Sequence, residues 1–323
     1  MATIHDVAAL AGVSSATVSR ALNGRPVSSD KLARIMKAVD QVNYSPDRAA
    51  RALRTGNSEL IALVIPDVAN PFFTDIARGA EDAASQGGYS LILCNTDSDV
   101  ARENRYLENA IRARFAGVII APASNTSDLS SVINAKLAVV QVDRTSEGFD
   151  LDSVVLDNRS GGRQATSALI GSGYTRIGCI TGPRNVETAR HRVDGWRDAL
   201  KSARLPRTRA YLRHGDFGVD SGYSAMQGLL ALSNPPDAVF VCNNLMAVGA
   251  IRALAARGTR CDAIALAVFG KLPYVITSGL VAVIPLPARA LGAAACGLLL
   301  QRITQPDQPL EHIVLSVGIE ESL

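Results

Sequence analysis

The chain has 323 residues, of which 47% are hydrophobic and 20% charged, and its formal net charge is +3. These values are typical of a folded globular protein and exclude the disordered and fibrous classes. The longest apolar run, residues 291–300, is about half of the ~20 residues that a membrane span needs, and no secretory signal pattern precedes it, so we expect a protein that is neither membrane-bound nor secreted.

Two short amphipathic helices are predicted at the amino terminus. The first begins at a Thr3/Asp6 capping pair and ends at Gly12. The second can be capped by Ser14 and has Val18 on its apolar side. Its outward side carries short polar residues and one guanidinium, which suit the reading of base edges in a major groove: Ser15, Thr17, Arg20 and Asn23. The pattern predicts a helix-turn-helix, with a helical hairpin that merely packs as the alternative.

A third helix is predicted from Ser28, and residues 44–46 end this three-helix unit. Residues 47–54 form an Ala- and Arg-rich segment that is too short for a stable isolated helix, so we expect it to fold only against a partner chain or DNA. A flexible linker is the alternative. Residues 1–57 carry eight Lys and Arg against four Asp, so the positive excess of the chain lies in this part, as phosphate binding requires.

From Leu60 onwards, unbroken apolar strands alternate with helices. Such strands are buried on both faces, which is typical of parallel sheets between helices. Two successive series of about five strands each predict two similar lobes with a ligand cleft at the carboxyl ends of their strands. The predicted strands are 60–65, 90–94, 118–121 and 139–142 in the first series, and 176–180, 211–214, 238–242 and 263–268 in the second. A final strand is expected within residues 313–323.

Five segments are long and jointly specific: ATIHDVAALAGVSSATVSRALNG at 2–24, YSPDRAARALRTG at 44–56, IPDVANPFF at 65–73, DNRSGGRQA at 157–165 and RVDGWRDAL at 192–200. Through them the chain closely resembles the LacI/GalR family of bacterial repressors over essentially its whole length. The resemblance implies an all-α helix-turn-helix headpiece (1–45), a hinge helix or linker (46–57), and an α/β core of two doubly wound parallel-sheet lobes, periplasmic-binding-protein-like (58–323). We expect a first lobe of about 58–157 plus 286–312 and a second of about 158–285 plus 313–323.

The resemblance also implies that a homodimer presents two headpieces to a pseudo-palindromic operator in double-stranded DNA. Ser15, Ala16 and Arg20 match the base-reading positions of the family, and Leu53 matches the hinge leucine that wedges between base steps. An ordinary apolar helix residue is the alternative for Leu53. The DNA-binding set expected from these segments is Thr3, Ser14, Ser15, Ala16, Thr17, Arg20, Asn23, Leu53 and Arg54.

The effector cleft is expected to take a small sugar-like ligand, because the matching positions combine a carboxylate, an amide, a guanidinium and aromatic rings. These positions are Phe72, Asp143, Arg192, Phe217 and Asn243. One departure concerns residues 267–274, AVFGKLPY, where Gly270 and Lys271 stand in place of the acidic residues usual in the family. The exchange of a carboxylate for an ammonium favours an anion, a sugar phosphate or sugar acid, with Lys271 added to the effector set. A solvent-facing Lys271 is the equal alternative.

Two other classes of function are alternatives to a repressor. The core alone would suit the solute-binding protein of a sugar transporter, but the basic headpiece argues against it. An enzyme is not expected, because the chain has no phosphate-binding P-loop, nucleophile-elbow or zinc-protease motif and its four histidines lack ligand spacing.

Five cysteines without Cys-x-x-Cys spacing favour reduced thiols in a cytoplasmic protein. We therefore expect no catalytic residue, metal or cofactor.

Overall fold

A computed structural model describes residues 2–22, 25–44, 58–256, 264–272 and 280–321. The chain divides into two compact units, Met1–Ser58 and Glu59–Leu323. The predicted hinge, with Leu53 and Arg54, and the predicted DNA contact Asn23 lie outside the described residues. No helix in the described part of the chain is long and apolar enough to cross a membrane.

The first unit contains three helices around a small core: α1 (Ile4–Ala11), α2 (Ser15–Leu22) and α3 (Ser29–Gln41). The capping box predicted at Thr3 and Asp6 is present, and α1 ends at Gly12 in the left-handed conformation, φ +63°. Val7, Val18 and Ile35, one from each helix, are fully buried against one another. This confirms the predicted helix-turn-helix.

The second unit contains two six-stranded sheets, each the centre of one lobe. In the first lobe the strand order is β11-β5-β4-β3-β1-β2, and in the second it is β12-β10-β9-β8-β6-β7. All neighbouring strands are parallel except β10 and β12. The doubly wound α/β architecture predicted from the unbroken apolar strands is therefore confirmed.

The elements of the first lobe alternate along the chain. They are β1 (Leu60–Ile65), α4 (Pro71–Gln86), β2 (Ser90–Asn95), α5 (Val100–Arg112), β3 (Gly117–Ile120), α6 (Ser130–Asn134), β4 (Ala138–Asp143) and β5 (Asp152–Leu156). Two later elements complete it, α11 (Ala288–Thr304) and β11 (His312–Leu315). Helix α11 packs along α4, where a Cβ at Gly79 or Gly292 would overlap the backbone of the opposite helix.

The second lobe follows the same pattern. Its elements are α7 (Asn158–Gly171), β6 (Ile177–Thr181), α8 (Glu187–Ser202), β7 (Leu212–His214), α9 (Val219–Leu230), β8 (Ala238–Val241), α10 (Asn244–Ala256), β9 (Ala265–Phe269), β10 (Leu280–Ile284) and β12 (Glu320–Glu321). A short 3-10 helix, Arg209–Tyr211, precedes β7.

The end of the chain corrects one prediction. The prediction of a single final strand in the second lobe is wrong, because the described residues of this segment, up to Glu321, contribute to both sheets. Strand β11 pairs with β5 in the first lobe from His312 to Leu315, and β12 then pairs antiparallel with β10 in the second. The chain returns to the first lobe because β5 leaves an open sheet edge there, which explains six strands in each sheet instead of about five.

The cleft lies where the strand order reverses. In the first lobe β1 has β2 on one side and β3 on the other, and in the second lobe β6 stands likewise between β7 and β8. Connections leaving such neighbouring strands turn to opposite faces of the sheet, so a crevice opens at their carboxyl ends. Both crevices contribute residues to the same cleft, which lies between the lobes.

Candidate functional site

The outward face of α2 carries the residues predicted to read DNA. Ser14 and Ala16 are exposed and Ser15 is partly exposed. The Ser14 hydroxyl caps the helix by accepting from the Thr17 amide at 3.2 Å, and it lies 2.9 Å from the Thr17 hydroxyl. The exposed Arg20 donates through Nη2 to Thr17 Oγ1 at 3.5 Å. Arg20 is therefore held loosely along the helix, with its guanidinium available to an outside acceptor.

The first helix supports this face. Thr3 caps α1, and its amide and hydroxyl both donate to Asp6 Oδ2 at 2.8 Å. These hydrogen bonds hold the pKa of Asp6 below its usual value, the backbone donor contributing most. His5 Nδ1 lies 3.2 Å from the hydroxyl of Ser15, so α1 also contacts a predicted base-reading residue. The structure gives Thr3 the role of a helix cap.

The cleft between the lobes encloses about 500 Å³, a volume that suits a small ligand. It brings together five of the six predicted effector residues, and it takes two of them from the first lobe and three from the second: Phe72, Asp143, Arg192, Phe217 and Asn243. The sixth, Lys271, is exposed and is not among the lining residues.

Arg192, on α8, is the central cation of the second lobe. Its Nε donates to Asn158 Oδ1 at 2.8 Å and its Nη1 to the carbonyl of Cys242 at 2.7 Å. Its guanidinium carbon lies 4.1 Å from the centre of the Phe269 ring, a cation–π contact. Burial lowers the pKa of Arg192 to about 10, which leaves it charged at neutral pH. The side chain is thus fixed by three partners and keeps donors for a ligand.

Asp143 and Arg144, at the end of β4, form a buried ion pair in the first lobe. The pair is joined by Arg144 Nε and Asp143 Oδ2 at 3.0 Å, and both side chains are at least 94% buried. The other carboxylate oxygen, Asp143 Oδ1, is buried and has no hydrogen-bond partner among the residues that the structure describes. Asp143 also has a φ of +67°, an uncommon conformation for a residue other than glycine. A buried acceptor without a donor is energetically costly.

Phe217 and Asn243 shape the second-lobe side of the cleft. Phe217 has a φ of +72°, a strained conformation for an aromatic residue. Asn243 holds this conformation, because its Nδ2 donates to the Phe217 carbonyl at 2.8 Å while its Oδ1 accepts from the Met246 amide at 3.0 Å. The Phe217 ring also covers Gly182, where a Cβ would overlap it. Asn243 therefore acts here as a support for Phe217.

Several lining residues were missed by the analysis of the sequence. The cleft also contains Asn70, Phe73, Arg144, Asn244 and Phe269. Two of them join the lobes, since Asn244 Nδ2 donates to Asn70 Oδ1 at 3.3 Å. Asn70 carried a signal in the sequence as the residue before Pro71, a position typical of a helix cap, and it caps α4. For Arg144, the sequence offered one signal of a place in the cleft, its position next to Asp143.

The geometry can now be compared with known proteins. Residues 58–315 match a family model described as periplasmic binding proteins and the sugar binding domain of the LacI family. Residues 3–47 match a second model, bacterial regulatory proteins of the lacI family. The chain belongs to the LacI family. It is a DNA-binding transcriptional regulator that responds to a small molecule, and the match of the headpiece disfavours the transporter alternative.

Individual relatives agree with this assignment. The ribose operon repressor of Escherichia coli K12 is 37% identical, with 98% of this chain and 97% of the repressor covered. The transcriptional repressor PurR of Haemophilus influenzae (strain PittEE) is 33% identical over 97% of this chain and 94% of its own length.

Solved structures show the same architecture. The lac repressor dimer bound to operator and the anti-inducer ONPF has a TM-score of 0.85 at 26% identity, covering 98% of this chain and 97% of its own. The transcriptional regulator CelR in complex with cellobiose has a TM-score of 0.75 at 29% identity and covers 99% of this chain and 98% of its own.

Proposed function

We propose that the protein is a dimeric repressor whose operator affinity is controlled by a small neutral sugar, a pentose such as ribose, bound in the cleft between the lobes. Helix α2 would read the major groove through Ser15, Ala16 and Arg20, with Thr17 next to the backbone. The protein would act in the cytoplasm, without enzymatic turnover of the sugar. Closure of the lobes on the sugar would change the geometry of the dimer and of the segments 47–54.

The observation that carries this proposal is a cleft between the lobes that brings the carboxylate of Asp143 together with Arg192 and aromatic rings. A sugar hydroxyl would donate to Asp143, and a second hydroxyl or the ring oxygen would accept from Arg192. The apolar face of the sugar ring would lie on Phe72 or Phe217. The relationship to a ribose operon repressor supports a pentose of this kind.

A sugar phosphate or sugar acid is the less favoured ligand. Among the described residues, the lining contains four carboxylates, Asp67, Asp97, Asp143 and Asp216, against two guanidinium groups, Arg144 and Arg192; Asp97 is also paired with Arg102 outside the lining. An excess of negative charge repels an anion. Lys271, on which the anionic ligand was predicted, does not line the cleft.

Titration calorimetry of the full chain with D-ribose, D-ribose 5-phosphate and D-ribonate tests the ligand class. We expect heat of binding for the neutral sugar and none for the two anions. A gel-shift assay on an operator selected from random DNA, with and without ribose, tests the regulator. Tight binding of an anion with no response to any neutral pentose would overturn the proposal of a neutral sugar ligand. Failure to select any DNA sequence would overturn the proposed DNA contacts of α2.

A further inference from the structure

Besides the hydrogen bond between Asn244 and Asn70, the two lobes touch at a polar cluster beside the cleft. On the first lobe the cluster consists of loop residues that follow β3 and β4, and on the second it consists of the loop before α8 and the first turn of that helix. Its members, here called the inter-lobe clasp, are Asn125, Thr145, Glu147, Asn185, Glu187 and Arg190.

Glu187 is the centre of the clasp. Its Oε2 accepts from both the amide and the hydroxyl of Thr145, each at 3.0 Å. Its own amide donates to Asn125 Oδ1 at 2.7 Å, and the Asn125 amide donates to the Asn185 carbonyl at 3.1 Å. Glu187 is the first residue of α8, where a carboxylate is favoured by the helix dipole. Its carboxylate thus links the helix that carries Arg192 to the opposite lobe.

The first-lobe half of the clasp is rigid by itself. Ser146 is 2% exposed, its amide donates to Gln141 Oε1 at 2.6 Å, and its hydroxyl lies within hydrogen-bond distance of the carbonyls of Asn125 and Ser127. The Glu147 amide donates to the Asn125 carbonyl at 2.6 Å. The loops after β3 and β4 are therefore hydrogen-bonded to each other independently of Glu187.

The outer part of the clasp contributes less to the contact between the lobes. Arg190 Nη2 lies 3.0 Å from Glu147 Oε1, but both side chains are about half exposed, and exposed ion pairs contribute little. Asn125 is 5% exposed, and Glu187 and Thr145 are partly buried, so their hydrogen bonds are less exposed to water than the Arg190–Glu147 pair. Hydrogen bonds to a charged group in such a place are stronger than neutral ones.

The clasp lies next to the residues proposed to bind the effector. Thr145 follows Asp143 and Arg144 directly, and Glu187 lies between the lining residues Val186 and Thr188. The two halves of the binding site are thus joined at the positions where they meet. We propose that Glu187 is a positioning residue that holds the lobes closed and sets the separation of Asp143 and Arg192 for the ligand. Preorganisation of this kind raises affinity without a contact to the ligand.

Hydrogen exchange of the full chain tests the clasp without any ligand. The Thr145 amide loses its acceptor in Glu187→Ala, so we expect the peptide covering residues 143–147 to exchange about tenfold faster than in the wild type. Glu187→Gln keeps an acceptor oxygen and is expected to restore most of the protection. Arg197→Ala is the matched control, because it removes an ion pair with Asp194 that stays within α8. Equal exchange in Glu187→Ala and the wild type would overturn the proposal.

Calorimetry with D-ribose as the probe tests the effect on the ligand, and this part rests on the proposed function. We expect Glu187→Ala and Thr145→Val to weaken binding, the first by about tenfold. The fold-loss of ribose affinity in the double variant should be smaller than the product of the fold-losses in the two single variants, because both substitutions remove the same contact. Independent losses would overturn the pairing of Glu187 with Thr145. If the wild type binds no ribose, the proposal that ribose is the effector is wrong. The hydrogen-exchange experiment still tests the clasp, because it uses no ligand.

Discussion

Arg192 on α8 donates through Nε to Oδ1 of Asn158, the first residue of α7, at 2.8 Å. Asn158 is 3% exposed and its amide nitrogen donates to the Leu156 carbonyl at 3.1 Å, so its orientation is fixed by the strand that precedes it. The guanidinium is consequently aimed by a residue at one of the crossings between the lobes. The orientation of Arg192 therefore depends on this crossing between the lobes.

Substitution of Arg192 should separate the two activities of the protein. We expect Arg192→Ala to keep operator affinity and to lose the response of that affinity to ribose, because the donors that face the cleft are removed. Arg197→Ala, on the same helix and half exposed, serves as control. The measurement is a gel shift across a ribose titration, with thermal unfolding to verify the fold. Weakened operator binding with an intact ribose response would contradict the assignment.

Substitution of Gly162 should show how closely α7 and α8 must approach. A Cβ at Gly162 would overlap the backbone of Arg192, and backbone cannot move aside as a flexible side chain can. We expect Gly162→Ala to lower the free energy of unfolding by about 1–3 kcal/mol and to weaken ribose binding.

Gly171, the last residue of α7, is the matched control. A Cβ at Gly171 would meet no heavy atom of the described residues within 4 Å, so Gly171→Ala should raise the free energy of unfolding by ~0.5–1 kcal/mol. Urea unfolding of the two variants measures both values. Similar effects at the two positions would show that close helix packing does not constrain Gly162.

Glu103 on α5 should make stability depend on pH. Its side chain is fully buried, Oε2 accepts from the Ala123 amide at 2.7 Å, and Oε1 has no hydrogen-bond partner within the part of the chain that the structure describes. Burial raises the pKa of Glu103 above its ordinary 4.5. The folded state therefore keeps a proton that the unfolded chain loses above pH 4.5, and this contribution to stability falls as the pH rises through the folded pKa.

Glu103→Gln should remove that pH dependence. We expect the variant to be more stable than the wild type at pH 8 and the difference to shrink towards pH 5, as measured by urea unfolding at several pH values. Glu108→Gln on the same helix is the control, because Glu108 is about half exposed and pairs with Arg112. An unchanged pH slope in Glu103→Gln would show that the buried carboxyl is not its source.

Arg20 should contribute to sequence recognition more than to general DNA affinity. We expect Arg20→Ala to weaken binding to the selected operator by roughly ten- to hundredfold, the discrimination expected from a good base contact. Binding to unrelated DNA should change much less. Lys31→Ala, an exposed cation on α3, controls for the loss of one positive charge. Equal losses on both kinds of DNA would make Arg20 a phosphate contact.

The sequence by itself determined the elements, the architecture and the family. Periodic apolar residues and caps such as Thr3 and Asp6 are local signals, because side-chain spacing alone decides which face of a helix or strand is buried. The positions of Phe72, Asp143, Arg192, Phe217 and Asn243 followed from resemblance, and the structure places all five around one cleft. Whether each of them binds the effector stays a prediction.

Only the tertiary structure decided the features that depend on distant partners. Nothing local indicates that β11 pairs with β5 while β12 returns to the other lobe, because strand pairing is set by open sheet edges. The same holds for the exclusion of Lys271 from the cleft lining, for the unpartnered oxygen of Asp143 and for the contact of Glu187 with Thr145. These properties arise when residues far apart in the chain are brought together, which spacing along the sequence does not encode.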